Sequence, residues 1–155
     1  MMKALRALVL VGLAAVSVGC LAPRPELEVS RVEVLESSSE GASVLVVLAM
    51  ENPWDEPVQL GWVDFTVSVE GGASFSDRDL PAASLPASGV QTIELLAALS
   101  TEGGAVMGQP FKASGKVTYT PPGDLRVVMT ETGIPLPRAE FSYSGVLPTD
   151  AVTRR

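Results

Sequence analysis

The sequence predicts an all-β fold: an antiparallel β-sandwich, immunoglobulin- or fibronectin-III-like, of seven or eight short strands with at most one short helix. Two observations carry this. Three segments alternate apolar and polar residues with a period of two: Val63, Phe65, Val67 and Val69; Phe111, Ala113, Gly115, Val117 and Tyr119; Phe141, Tyr143 and Gly145. Between the segments lie clusters of Gly, Pro, Asn and Asp at short intervals. A period of two gives each strand one apolar and one wet face. A sheet with one apolar face must bury it against a second layer.

The elements follow in order. Leu27-Glu28-Val29 alternates, and Val32-Glu33-Val34 alternates one residue out of phase, so a bulge is expected near Ser30-Arg31. Ser37 to Gly41 has turn chemistry. Residues 44–50 are continuously apolar, as for a strand buried deep in the sandwich. Asn52-Pro53-Trp54-Asp55-Glu56-Pro57 ends that strand. Residues 63–69 form the clearest strand, with Val63, Phe65, Val67 and Val69 facing the core. Gly71-Gly72 turns the chain into a short return strand near residues 73–75. Two prolines and small residues make 80–89 a loop or edge strand. Residues 92–96 read as a strand and 97–107 as a short helix, weakened by Gly103-Gly104. A strand at 111–119, a turn at Pro121-Pro122-Gly123-Asp124, a strand at 125–129, an extended connector at Ile134-Pro135-Leu136-Pro137 and a last strand from Phe141 complete the series. Trp62 is expected in the core and Trp54 as a loop anchor, with a carbohydrate or partner platform built from the two as the alternative.

The N-terminus is different. Lys3 and Arg6 make a basic start, residues 7–18 are uncharged and rich in Ala, Leu and Val, and small residues precede Cys20. This is the layout of a secretory signal peptide over residues 1–19. A membrane-spanning helix is the first competing reading, although the stretch from Ala7 to Arg24 is short and is broken by Gly12, Gly19 and Pro23. Ordinary cleavage after Gly19 is the second, and it leaves a lone exposed thiol in an oxidising compartment. Residues 20–26 then form a short Pro-containing tether, 27–148 one sandwich domain, and 149–155 a loose tail.

Charge narrows the partners. The chain has 155 residues with 11 basic and 18 acidic side chains. Loss of Lys3 and Arg6 leaves nine basic residues against the same 18 acids, and no basic cluster beyond Arg154-Arg155. Nucleic acid and anionic lipid headgroups are therefore not expected partners, because binding their phosphates relies on Lys and Arg.

Reactive chemistry is sparse. There is no His, and the single Cys is Cys20. Imidazole triads, His metal sites and Cys zinc sites are excluded. Asp55-Glu56 and the Asp77/Asp79 pair are the only carboxylate clusters with a Ca²⁺-like oxygen character, and neither has the spacing of a calcium loop. The expectation is no cofactor, no metal and no catalytic residue; a hydrolase using Asp77 and Asp79 is the outlying alternative.

Two resemblances refine this picture. Ser17-Val18-Gly19-Cys20 resembles the lipobox of bacterial lipoproteins, with Ser17 where that family prefers Leu. It implies lipidation of Cys20, which removes the free thiol, and a location in the cell envelope. Leu21 after the Cys implies outer-membrane sorting if the cell has two membranes. The run from Val44 to Asn52-Pro53, then Pro57-Val58-Gln59-Leu60 and the 63–71 strand, resembles the group 2 late-embryogenesis-abundant proteins with a WHy (water stress and hypersensitive response) domain. Leu85 to Ile93 and Pro110 to Val117 fit later strands of that pattern; Trp54 stands where the family usually has Asn. The resemblance implies a compact sandwich with one short helix and a role in desiccation or related stress tolerance, by protecting or binding macromolecules. With 46% hydrophobic and 19% charged residues, the domain should be folded rather than a disordered, water-holding coil. The expected state is a monomer held to the membrane through Cys20. The alternative is a structural or assembly lipoprotein that binds an envelope protein through a sheet edge or the Trp54 loop.

Overall fold

A computed structural model of the protein describes residues 23–100, 102 and 106–151. The signal segment, Cys20 and the last four residues lie outside the described residues. Eight strands and one helix run in the order β1 (Glu26–Ser37), β2 (Gly41–Glu51), β3 (Val58–Val69), β4 (Ser74–Asp79), β5 (Ser84–Leu85), β6 (Val90–Ser100), β7 (Pro110–Thr120), α1 (Asp124–Thr132) and β8 (Arg138–Val146). Every strand pairing is antiparallel. One sheet has the order β1-β2-β6; the other has β4-β3-β7-β8, with β5 also paired to β3. The two sheets form the expected sandwich.

The core lies between them. Val63, Phe65, Val67 and Val69 are all buried, as the alternation of β3 requires. They meet Val44, Val46, Leu48 and Met50 of β2, Leu95 and Leu99 of β6, and Phe111, Val117 and Phe141 of the β7-β8 pair within one cluster. Gly115 sits opposite both Phe65 and Phe141. A Cβ there would lie 2.7 Å from the Phe141 ring and against the Asp64 carbonyl, so the small residue makes room for an aromatic.

Two phase slips set the strand faces. Pairing of β1 to β2 shifts between Val29 and Arg31, and Ser30 Oγ donates to the Val47 carbonyl at 3.1 Å. The expected bulge is therefore present, and Val32 and Val34 return to the core side. A second slip lies in β3, where Leu60 pairs Tyr119 and Val63 pairs Val117. Three steps on β3 match two on β7, so Leu60 and Val63 both face the core. Gly61 fits within this bulge, where its Cβ would be 3.3 Å from the Thr118 carbonyl.

The bulge corrects the expectation for Trp62. It is 47% exposed on the outer face of the second sheet, with Arg78 over its ring at 5.8 Å to the centroid. The continuous apolar run of β2 also has a more local cause than depth. β2 is the centre of a three-stranded sheet. Its outward Leu45 and Val47 are buried beside Arg31 and Glu33 of β1 and Glu94 and Leu96 of β6. Arg31 and Glu33 form an ion pair at 3.1 Å there, and long stems of this kind cover apolar surface while the charged ends stay wet.

The helix and one strand are exchanged relative to expectation. Residues 97–100 continue β6: Ala97 and Leu99 are buried opposite Val44 and Ala42, while Leu96 and Ser100 face out. Ladder pairing and burial override the helical propensity of Ala and Leu. Of the rest of the expected helix, residues 101 and 103–105 lie outside the described residues. The expected strand at 125–129 is α1. This segment carries the chain from β7 across to its neighbour β8, and its backbone groups satisfy one another in a helix. Gly133 ends it in a left-handed conformation (φ 68°), its N–H donating to the Met129 carbonyl.

Candidate functional site

The sandwich end where the chain enters is the most elaborated part of the described structure. Pro25 is buried beside the start of β1, although the sequence places it in the tether. Pro23, Arg24 and Pro25 border Pro53, Arg138 and Glu140 in an open cleft of about 820 Å³. The loop after β2, the loop before β6, α1 and the approach to β8 share this end.

Asn52 organises it. It is 2% exposed, the only buried polar or charged residue among those described. Its Oδ1 accepts the Trp54 N–H at 3.0 Å, a local Asx turn. Its Nδ2 donates to the Glu56 carbonyl at 2.8 Å and to the Pro86 carbonyl at 2.8 Å. Its own N–H donates to the Gly89 carbonyl at 2.9 Å, and the Ser88 N–H donates to the Trp54 carbonyl at 2.7 Å. One amide thus stitches the 52–57 loop to the 86–89 loop. The local turn is legible in Asn52-Pro53; the reach to Pro86, 34 residues away, has no local signal. Trp54 is half-buried and packs against Tyr119 with ring centroids 5.8 Å apart, the loop anchor expected of it. Burial pushes the Tyr119 phenol above its ordinary value, while Arg24 pulls it the other way.

A second, polar cluster lies on the outer face of the second sheet. Asp64 and Arg78 face each other across β3 and β4, with Nε donating to Oδ1 at 2.6 Å. That bond and the nearby positive charges of Arg78, Lys116 and Arg138 hold the Asp64 carboxyl below its usual range. Thr66 and Ser76 share a hydroxyl–hydroxyl bond of 2.8 Å in the next row. Asp64 is therefore a paired carboxylate at neutral pH and not a proton donor.

The acids named from sequence are not assembled. Asp55 and Glu56 are exposed in the Asn52 loop. Asp77 and Asp79 are exposed on β4, where each Oδ1 accepts a neighbouring backbone N–H at 2.8 Å, from Arg78 and Leu80. Among the described residues no group of three or more His, Cys, Asp or Glu stands close enough to hold a metal ion. No helix among them is long and apolar enough to cross a membrane.

In fold, the chain is a β-sandwich of the kind seen in a late embryogenesis abundant (LEA) protein. That protein, determined in solution, is 13% identical, and the match covers 81% of this chain and 72% of the other with a TM-score of 0.57. An Arabidopsis thaliana protein is 14% identical over 83% and 85% of the two chains, also with a TM-score of 0.57. A protein from Archaeoglobus fulgidus is 9% identical, with 82% of this chain and 100% of that one covered and a TM-score of 0.53. At such identities the likeness is one of fold. No protein-family model matches the chain, and no curated protein matches it in sequence.

Proposed function

We propose that this chain is a non-enzymatic envelope lipoprotein, anchored through Cys20, whose LEA-like sandwich acts in tolerance of desiccation or related stress by protecting or binding macromolecules. The observation that carries the reading is the likeness of fold to a LEA protein over four-fifths of the chain, joined to a lipobox-like N-terminus. The lack of His and the scattered, solvated acids support a binding role over a hydrolytic one. Mass spectrometry of the native protein tests the anchor: a diacylated N-terminal Cys20 is expected, and an unmodified Cys20 or a retained Met1 overturns it. A deletion strain tests the role. It should lose viability on drying and recover with the full chain but not with Cys20→Ser; unaltered survival overturns the stress reading.

A second reading, an assembly lipoprotein that binds an envelope protein through a sheet edge, draws support from β6. That edge strand exposes Val90 and Leu96. Co-purification of one envelope protein at fixed ratio, lost on Leu96→Lys, separates it from the first.

A further inference from the structure

Of eleven large apolar side chains exposed among the described residues, five fall within one short stretch: Leu125, Val127 and Val128 on α1, and Ile134 and Leu136 just after it. Only Met129 of the helix is buried. A surface helix in a globular domain ordinarily turns its apolar stripe inward. Here the apolar residues face out, which marks a docking surface.

The position of this stretch says what it meets. Gly123, just before α1, lies next to the Glu56 side chain of the Asn52 loop. Pro137, just after Leu136, accepts the Tyr119 N–H at 3.1 Å, and Arg138 borders the cleft that holds Pro23 and Arg24. The apolar stretch thus stands at the end where the N-terminal segment arrives. Pro25 is fixed in the domain, and Cys20 precedes it by five residues. Five residues span at most about 18 Å, roughly one and a half times the width of one helix. A lipid anchor at Cys20 therefore brings a bilayer to this end and to no other. Acids outnumber the arginines Arg24, Arg126 and Arg138 at this end, among them Glu56, Asp124, Glu131 and Glu140, so the surface that fits is a zwitterionic one met through its apolar side chains and not an anionic one.

We propose that α1 and the Ile134–Leu136 connector rest in the headgroup region of the lipid surface to which the N-terminus is tied. This rests on the anchor reading above. The apolar side chains enter the headgroup–acyl boundary, and the domain is held in one orientation instead of swinging on its tether.

The test uses the full chain expressed in membranes and reconstituted in phosphatidylcholine vesicles. Once Cys20 carries lipid, an introduced thiol is the only free one. Val128→Cys and Ile134→Cys change exposed positions, and Glu40→Cys places a control in the β1-β2 turn at the opposite end. Each is labelled with an environment-sensitive fluorophore. Labels at Val128 and Ile134 should shift to the blue in vesicles and lose emission to nitroxides high on the acyl chains, while the label at Glu40 does neither. Solution-like, unquenched emission at all three sites overturns the proposal. So does a blue shift at Val128 that grows with protein concentration without lipid, because a second copy then covers the face. The intact mass reads the anchor separately. A chain that keeps Met1 sinks the lipidation reading but brings lipid to the same end; the three labels are then read in a Cys20→Ser background, where the introduced thiol is again the only one, and still decide; a chain free of membranes overturns both.

Discussion

Replacement of Asn52 tests whether one buried amide holds the chain-entry end together. Its side chain makes three hydrogen bonds, to the Trp54 N–H and to the Glu56 and Pro86 carbonyls. At about 1 kcal/mol net for each, Asn52→Ala should cost about 3 kcal/mol, and lower the melting temperature by about 10 °C. Asn52→Asp is the sharper perturbation. The shape is kept and the bond from Trp54 survives, but an oxygen now faces two carbonyl oxygens. Ionising that carboxyl inside the loop is unfavourable, so its folded pKa rises above the value in the unfolded chain. The sign follows: the variant is penalised little at low pH, where both states are protonated and the acid can still donate one bond. The penalty grows as pH rises through the unfolded pKa near 4 and levels off above the folded pKa. Urea unfolding, followed by Trp fluorescence from pH 4 to pH 8, reads this directly. A deficit for Asn52→Asp that is the same at both ends of that range, or smaller than about 0.5 kcal/mol at pH 7, would refute the role given to the amide.

Other consequences are as specific. Phe65→Ala should cost about 3–5 kcal/mol by leaving a cavity in the core, whereas Thr66→Ala, one residue on and facing out, should cost little; equal costs in chemical denaturation would contradict the strand faces. Gly115→Ala should destabilise by about 1–3 kcal/mol through overpacking against Phe141 and the Asp64 carbonyl, and Phe141→Leu should recover part of that loss in the double variant. Arg78→Gln should move the Asp64 titration, followed by carboxyl NMR, upward towards the ordinary carboxylate value. The small stability the pair gives is present above the unfolded pKa of Asp64 and fades as pH falls through the folded one. EDTA should leave the melting temperature of the mature protein unchanged; a drop of several degrees would make Asp55, Glu56, Asp77 and Asp79 ligand candidates.

Much of the sandwich is legible because its strands obey local rules. The alternation of β3 and the slip from Val29 to Val32 each map onto one face or one bulge. The slip from Leu60 to Val63 carried the same kind of signal and, unread, put Trp62 on the wrong side. α1 and the end of β6 were exchanged for a different reason. Val127 and Val128 favour strands and Ala97 and Ala98 favour helices, but which segment finds an edge to pair with is decided by the sheet order. At the chain-entry end, the Asn52-Pro53 turn was visible and the contact with Pro86 was not, because a long-range bond leaves no mark on its neighbours. The exposure of α1 was likewise unreadable: an apolar helix and a buried strand share one composition.

The rims of the two sheets differ in how they refuse company. β4 points Asp77 and Asp79 in register with Phe65 and Val63, on the side facing the opposite sheet. A second β4 adding edge to edge would crowd acids against acids. β1 has its ladder broken at Val29/Arg31 and again at Val34/Glu36, which denies a newcomer an even row of bonds. The first safeguard is electrical and the second is mechanical. As water is withdrawn and salt concentrates, the screening length contracts from about 10 Å towards a few ångströms and the acids lose their reach. The broken ladder loses nothing. Of these two rims, β4 is the one whose defence weakens as salt concentrates, and β1 keeps its own.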